Sequence, residues 1–369
     1  MADADTRAAG PETLEEARRR IDAIDREIRD LLNRRAACAV RISRIKSREP
    51  GAGAHYRPER EARILRRVRR SSGGAMPPEM MARLFREIMS SCLFLEQPLT
   101  VACLGPEGTF SEEAAVRQFG HFASLKLCAV IERVFREVEA DRCHYGIVPV
   151  ENTTEGMVNR TLDCLAVSPL GICGELELPV HHVLAGHPDA EAEAATELLA
   201  HPQSFAQTRI WVDARFPDLP HRRVASNGEA ARLAAEDPTR LAIANVRAAE
   251  RCGLRVLKRN IEDYPGNRTR FLVIGKSAPG PSGRDKTSIL VTGRDAPGSL
   301  YRILAPFEEN GLNMTRLETR PLKGSQWAYQ FFIDFEGHQE DPPVSRTLTS
   351  LTTQSINLRI LGSYPQAPI

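Results

Sequence analysis

Residues 267–274 read NRTRFLVI, a threonine between two arginines directly ahead of the apolar run Phe271–Ile274. A short apolar run of this kind reads as a buried strand. Two fixed cations around a hydroxyl suit a doubly anionic ligand, and they suit a solvated loop entering a strand equally well. Working outward, residues 99–276 alternate strand-like and helical runs: strands at 100–104, 145–150, 241–244 and 271–274, helices at 111–119 and 204–215. This alternation predicts an α/β domain with room for two lobes and a cleft between them.

At 369 residues the chain is expected to hold two or three domains. Its composition, 42% hydrophobic and 27% charged with a formal net charge of +2, is that of a globular protein and gives no reason to propose a polyanion partner for the whole chain. Residues 1–98 carry 21 Lys+Arg against 15 Asp+Glu, so a basic arm precedes an acidic remainder. No apolar run approaches the ~18–20 residues of a membrane span. The start, MADADTRAAGPE, lacks a basic segment followed by an apolar one, so no secretory signal is read. The eight cysteines are scattered without a CxxC pair, which fits a reducing cytoplasm and argues against a disulfide scaffold or a zinc site. No metal or other cofactor is predicted.

Residues 11–97 read as helices only. Thr13-Leu14-Glu15-Glu16 has the capping-box form. Leu14, Ala17, Ile21, Ile24, Ile28 and Leu31, then Cys38, Ile42 and Ile45, follow as a heptad seam broken at Arg35. A helix of about 50 Å with so narrow a stripe cannot bury itself, so a partner chain is expected. Arg35 and Lys46, eleven residues apart, lie within about 20° of each other around the helix. Arg18 lies off that face and could join them only from a partner helix. Two more helices, from Pro58 and from Met80, complete an intertwined bundle. A seam cation costs stability unless it is paired. The basic arm has no interleaved aromatics, which argues against nucleic acid.

In the α/β segment, GPEGTFS (105–111) makes an anion-binding strand-to-helix turn without a nucleotide motif. VPVENTTEG (148–156) places polar residues at the end of a strand, and HPQSFAQ (201–207) places Gln203 at a helix start. NRTRF is a third polar turn that could converge with these on one cleft. KSAPGPSGRDK (276–286) reads as a linker, and residues 287–365 give βαββαβ, the ferredoxin-like order.

The motifs also carry resemblances. YRPERE (56–61) and LFREIMS (84–90) make the first segment resemble the all-helical chorismate mutase domain. The resemblance implies a chorismate site of Arg18 from a partner, Arg35, Lys46, Arg57, Arg60, Glu61 and Glu96, with Arg18 and Arg35 on the carboxylates and Lys46 on the ether oxygen. Glu96 stands where some members carry a glutamine that hydrogen-bonds that oxygen. Cys92 replaces a serine of some members, and Arg57 an acidic residue. Only a protonated Glu96 can donate.

GPEGTFS, VPVENTTEG, HPQ and NRTRF, in this order and spacing, resemble prephenate dehydratase over residues 99–276. That implies a two-lobed fold like periplasmic binding proteins and loss of carboxylate and ring hydroxyl from prephenate to give phenylpyruvate. Thr269 would be the family's essential threonine, read as a hydrogen-bond donor to the leaving hydroxyl. Glu151, Asn152 and Gln203 would line the cleft, Thr109 and Thr153 would contact substrate, and Arg270 would bind a carboxylate. Arg268 is expected to be solvated, and Asn245 stands where Gly or Ser is expected.

DAPGSLYRIL (295–304) and LETRP (317–321) resemble the ACT regulatory domain. The resemblance implies an L-phenylalanine effector held between subunits near Gly298, Leu300, Asn313 and Glu318. Together the resemblances imply a bifunctional chorismate mutase–prephenate dehydratase, a homodimer or higher homo-oligomer with no nucleic-acid or membrane partner. An arogenate dehydratase and a non-catalytic amino-acid sensor remain as alternatives.

Overall fold

The computed structural model describes residues 13–46, 48, 56–293, 296–321 and 329–367. Helix α1 (Leu14–Lys46) starts at the capping box: Glu16 accepts from the Thr13 amide at 2.9 Å, and the Glu16 amide donates back to Thr13 Oγ1 at 3.3 Å. Helices α2 (Pro58–Ser71) and α3 (Pro78–Glu96) both open on proline, whose missing N–H costs nothing in a first turn. α3 packs on both others. The outer α1 seam stays bare in one chain, with Ile21, Ile24, Ile28 and Leu31 each about half exposed.

The chain then builds a first lobe from β1 (Thr100–Leu104), α4 (Phe110–Phe119), β2 (Ser124–Cys128), α5 (Ile131–Glu139), β3 (Tyr145–Asn152), β4 (Gly156–Met157), α6 (Asn159–Val167) and β5 (Gly171–Pro179). It crosses at residues 180–182 into a second lobe. That lobe holds β6 (Val183–Gly186), β7 (Glu197–Ala200), α7 (Pro202–Gln207), α8 (Arg209–Arg215), β8 (His221–Arg223), α9 (Asn227–Ala235), β9 (Arg240–Ala244), α10 (Val246–Arg251) and β10 (Arg255–Arg259). The chain returns as β11 (Arg268–Gly275) to the middle of the first sheet, whose order is β2-β1-β3-β11-β5 with β4 beside β3. The second sheet runs β10-β6-β9-β7-β8. Two crossings between sheets leave a cleft at their junction. The helix read over 204–215 breaks in two at Thr208, which is fully buried and donates its hydroxyl to the Ser204 carbonyl.

The C-terminal module comprises β12 (Asp285–Thr292), α11 (Ser299–Glu309), β13 (Met314–Pro321), β14 (Tyr329–Glu336), α12 (Pro342–Gln354) and β15 (Asn357–Pro365), ordered β13-β14-β12-β15. This is the ferredoxin-like arrangement, with β13 at one edge. Leu290, Phe332, Leu361 and Tyr364 of this sheet share one core with Ile172, Leu272 and Ile274 of the first lobe. The stretch read as a free linker is in fact pinned. Arg66 of α2 donates to the Ser282 and Arg284 carbonyls at 3.2 and 2.9 Å, and Asp285 accepts from the Ser282 and Gly283 amides.

Candidate active sites

The three helices form most of the wall of a cavity of about 290 Å³, to which they contribute Arg35, Lys46, Arg57, Arg60, Glu61, Cys92 and Glu96. Arg35 interrupts the apolar seam because it turns inward, donating to the Ile88 carbonyl of α3 at 3.2 Å. Arg57 pairs with Glu59 at 2.7 Å. Arg18 is exposed on α1, outside this cavity. Burial pushes the Glu61 carboxyl above its ordinary range, and the Arg86 guanidinium opposes this. Sequence reasoning missed Arg86, although an arginine at the middle of the Ala82–Arg86–Ser90 stripe of α3 was a readable signal. It also missed Gln118 and Phe119, which reach the cavity from α4 of the next domain.

The cleft between the lobes has a volume of about 570 Å³. Strand β11 begins at Arg268, so the arginine–threonine–arginine stretch is strand rather than loop. Side chains on a strand alternate faces. Thr269 and Phe271 therefore face the cleft. Asn152, at the end of β3, donates from Nδ2 to Thr269 Oγ1 at 2.9 Å and to Asn267 Oδ1 at 2.8 Å. Its Oδ1 accepts from the Thr154 and Glu155 amides at 3.0 and 3.2 Å, which fixes which end of the side-chain amide is oxygen. Thr269 Oγ1 accepts from Asn152 and so keeps its own proton for a ligand in the cleft.

Gln203 also lines the cleft, at the start of α7. Thr109 lines it too, but its hydroxyl is committed: it caps α4 by accepting from the Glu112 amide and donates to the Leu104 carbonyl at 3.0 Å. Thr153 does not reach the cleft; its Oγ1 accepts from the Arg268 amide at 2.9 Å and ties β3 to β11. Asn245 caps α10 through the Ala248 amide and donates to the Gly108 carbonyl, linking the lobes as a glycine, with no side chain, could not. At the same junction a Cβ on Gly228 would sit 2.0 Å from the Glu107 carbonyl oxygen, so only glycine permits this approach.

Three further cleft residues escaped sequence reasoning: Glu155, His182 and Gln207. His182 Nε2 meets Gln207 Oε1 at 2.8 Å, and Gln207 Nε2 donates to Glu155 Oε1 at 3.2 Å. Burial lowers the His182 pKa, which favours the neutral ring. Gln207 lies four residues after Gln203, a spacing that shares a helical face. His182 had no local signal.

Arg270 and Glu151 need correction as cleft residues. Alternation sends Arg270 to the opposite face of the sheet, against the C-terminal module, and its side chain is only 8% exposed. Its Nε donates to Glu175 at 2.8 Å, Nη1 to Asp334 at 2.6 Å and Nη2 to the Tyr364 hydroxyl at 3.0 Å. Burial opposes this charge, but Tyr364, Asp334 and Glu175 outweigh it and hold the guanidinium protonated. All three nitrogens are engaged in this buried cluster, on the face of the sheet away from the cleft. Glu151 pairs with Arg270 in the β3–β11 register and turns its carboxylate to Arg316 of β13 rather than into the cleft. Arg268 is about half exposed beside Glu177.

In the C-terminal module Gly298 is left-handed, φ 75°, at the N-cap of α11. Leu300 and Asn313 are exposed and Glu318 is half-buried on the edge strand β13. Tyr301, Leu317 and Tyr329 are exposed close by in the chain.

Three family models match in succession: Chorismate mutase type II over residues 17–97, Prephenate dehydratase over 101–279 and ACT domain over 287–352. A pocket of cations, a hydroxyl-bearing cleft and a module of regulatory type on one chain define a multifunctional enzyme. A bifunctional chorismate mutase/prephenate dehydratase of Stutzerimonas stutzeri is 47% identical over 96% of this chain and 98% of its own length. Its counterpart in Neisseria gonorrhoeae is 46% identical over 95% and 96%. Among solved structures, prephenate dehydratase from Arthrobacter aurescens in complex with L-Phe superposes with a TM-score of 0.67 at 35% identity, covering 73% of this chain and 90% of that one. The chain belongs to the bifunctional chorismate mutase/prephenate dehydratase family.

Proposed function

We propose that the helical pocket rearranges chorismate to prephenate and that the cleft converts prephenate to phenylpyruvate, carbon dioxide and water. The observation that carries the second assignment is the Asn152–Thr269 hydrogen bond, which aims a free hydroxyl proton into the cleft. Thr269 donates to the departing ring hydroxyl. Phe110, Met157, Val180 and Phe271 make the cleft wall apolar, which disfavours the charged ring carboxylate and promotes its loss as carbon dioxide. The first reaction is pericyclic and needs no nucleophile. Arg35, Arg60 and Lys46 hold the folded conformer and stabilise charge at the breaking C–O bond.

The bare α1 seam supports a homodimer in which the partner helix covers it and brings Arg18 into the pocket. The exposed edge of β13, with Leu300 and Leu317, supports a second contact between copies that holds L-phenylalanine. The eight free cysteines fit a reducing cytoplasm. Steady-state rates on chorismate, prephenate and arogenate test the assignment. Turnover of arogenate in preference to prephenate would reassign the cleft, and no turnover of any would leave an amino-acid sensor.

Variants probe two finer points. Glu96→Gln keeps a hydrogen-bond donor at this place in the pocket and should retain mutase turnover, whereas Glu96→Leu, which has none, should lower it; equal rates in the two variants would contradict the role. Gly298→Ala forces a side chain into the left-handed region, where its Cβ would also meet Arg302 at 3.2 Å. It should blunt inhibition of the dehydratase by phenylalanine while leaving the uninhibited rate intact. Unchanged inhibition would remove Gly298 from the effector site.

A further inference from the structure

The helical cavity is not closed by helical-domain residues alone. Three buried or nearly buried side chains lining it carry polar atoms without hydrogen-bond partners: Glu61 Oε1, Arg86 Nε and Nη2, and Gln118 Oε1. Glu61 and Arg86 face each other at 3.3 Å as an ion pair without hydrogen-bond alignment. Orphaned buried polar atoms are rare because each forfeits its contacts with water. Glu61 Oε1 and Arg86 Nε serve each other as an ion pair, so Arg86 Nη2 and Gln118 Oε1 mark where a polar ligand completes the cavity wall.

These groups are held rigidly. Ala82, Arg86 and Ser90, spaced by four, form one buried face of α3. That face caps the C-terminus of α4: Arg86 Nη1 donates to the Arg117 carbonyl at 2.8 Å and Ser90 Oγ to the Phe119 carbonyl at 2.5 Å. One end of the Gln118 side-chain amide is tied to the Tyr56 hydroxyl at 2.9 Å, leaving the other end at the cavity. Arg86 thus retains donors after its capping bond, and Gln118 retains one free amide end.

Resting on the mutase reading of this pocket, we propose that Arg86 and Gln118 contact chorismate. Arg86 donates charge-assisted hydrogen bonds to an anionic substrate oxygen. Gln118, supplied by the dehydratase domain beside Arg86, accepts from the substrate's hydroxyl through its free Oε1. The mutase site is then an interdomain site. The same helix α4 carries Phe110 and Ser111 in the dehydratase cleft at its other end.

The test uses the full chain, with both activities measured on the same samples. Arg86→Gln should lower mutase kcat/KM roughly tenfold to a hundredfold, the span expected for a lost hydrogen bond to a charged group. Gln118→Leu should lower it roughly threefold to tenfold, as for a neutral one. Dehydratase kcat/KM on prephenate should stay within about twofold of wild type. Tyr56→Phe separates contact from propping: if Gln118 only held Tyr56, Tyr56→Phe would reproduce the whole loss and Gln118→Leu would add nothing to it, which would overturn the proposal. Contact with substrate predicts that Gln118→Leu keeps its effect in the Tyr56→Phe background. If Arg86→Gln unfolds the α3–α4 junction, both activities fall together, and Gln118→Leu, which leaves both capping bonds in place, decides. Unchanged mutase kcat/KM in Gln118→Leu overturns the proposal. A wild-type chain that does not turn over chorismate contradicts the mutase reading itself, before any variant is compared.

Discussion

Thr269→Ala should remove dehydratase activity and leave mutase turnover at the wild-type level. The hydroxyl is held by Asn152, itself anchored by two backbone amides and Asn267, so its position does not depend on substrate. Removing a placed proton donor costs about 10²–10⁴-fold in rate. The mutase pocket shares no lining residue with the cleft, so it should not register the change. Thr269→Ser retains the hydroxyl and should recover much of the activity. Equal loss of both activities, or of neither, would remove Thr269 from its role.

Arg270→Met should act on stability rather than on substrate affinity. It strips the shared cation from Glu175 and Asp334 and leaves their buried carboxylates with less compensation. Breaking a buried ion pair from one side costs about 3–5 kcal/mol. Lys286 still reaches Glu175, and Arg316 lies 3.6 Å from Asp334, so the lower end of that range is expected. Thermal and denaturant unfolding of the two C-terminal domains would report the loss. If Arg270 instead bound a substrate carboxylate, KM for prephenate would rise with stability unchanged.

The pH dependence of this junction follows from Asp334. Burial alone would raise its carboxyl, but Arg270 and the Ser288 hydroxyl outweigh that and hold it below the usual range. A carboxyl lowered in the folded state stabilises it above the unfolded pKa of about 3.9 and loses that contribution as pH falls through the lowered value. Wild type should therefore hold the junction at neutral pH and release it only in strong acid.

Much of this architecture was legible because periodicity is local. The heptad seam of α1, the βαββαβ order of the C-terminal module and the strand after Thr269 all follow from spacing. The seam also exposed its own anomaly, Arg35, which proves to turn inward on the cavity. Arg270 and Glu151 read from sequence as loop residues beside the cleft because the apolar runs stop at Val150 and start at Phe271, whereas β3 extends to Asn152 and β11 begins at Arg268. Once β11 starts at Arg268, alternation alone separates Thr269 from Arg270. The β3–β11 register also shifts between Arg270 and Phe271, which no single-strand pattern reveals. Gln118, His182 and Arg316 were out of reach for another reason. Each acts on a site built from other segments of the chain, and their positions depend on how lobes and domains dock. The 276–286 stretch has a linker's composition, yet Arg66 and Asp285 pin it through contacts invisible to composition.

The most direct test supplies the purified chain with chorismate alone and follows prephenate and phenylpyruvate over time, with and without L-phenylalanine. Prephenate should appear first and phenylpyruvate should follow, with the second step slowed by phenylalanine. Consumption of chorismate that halts at prephenate in the absence of phenylalanine, or no consumption at all, would contradict the assignment of two active sites to this chain.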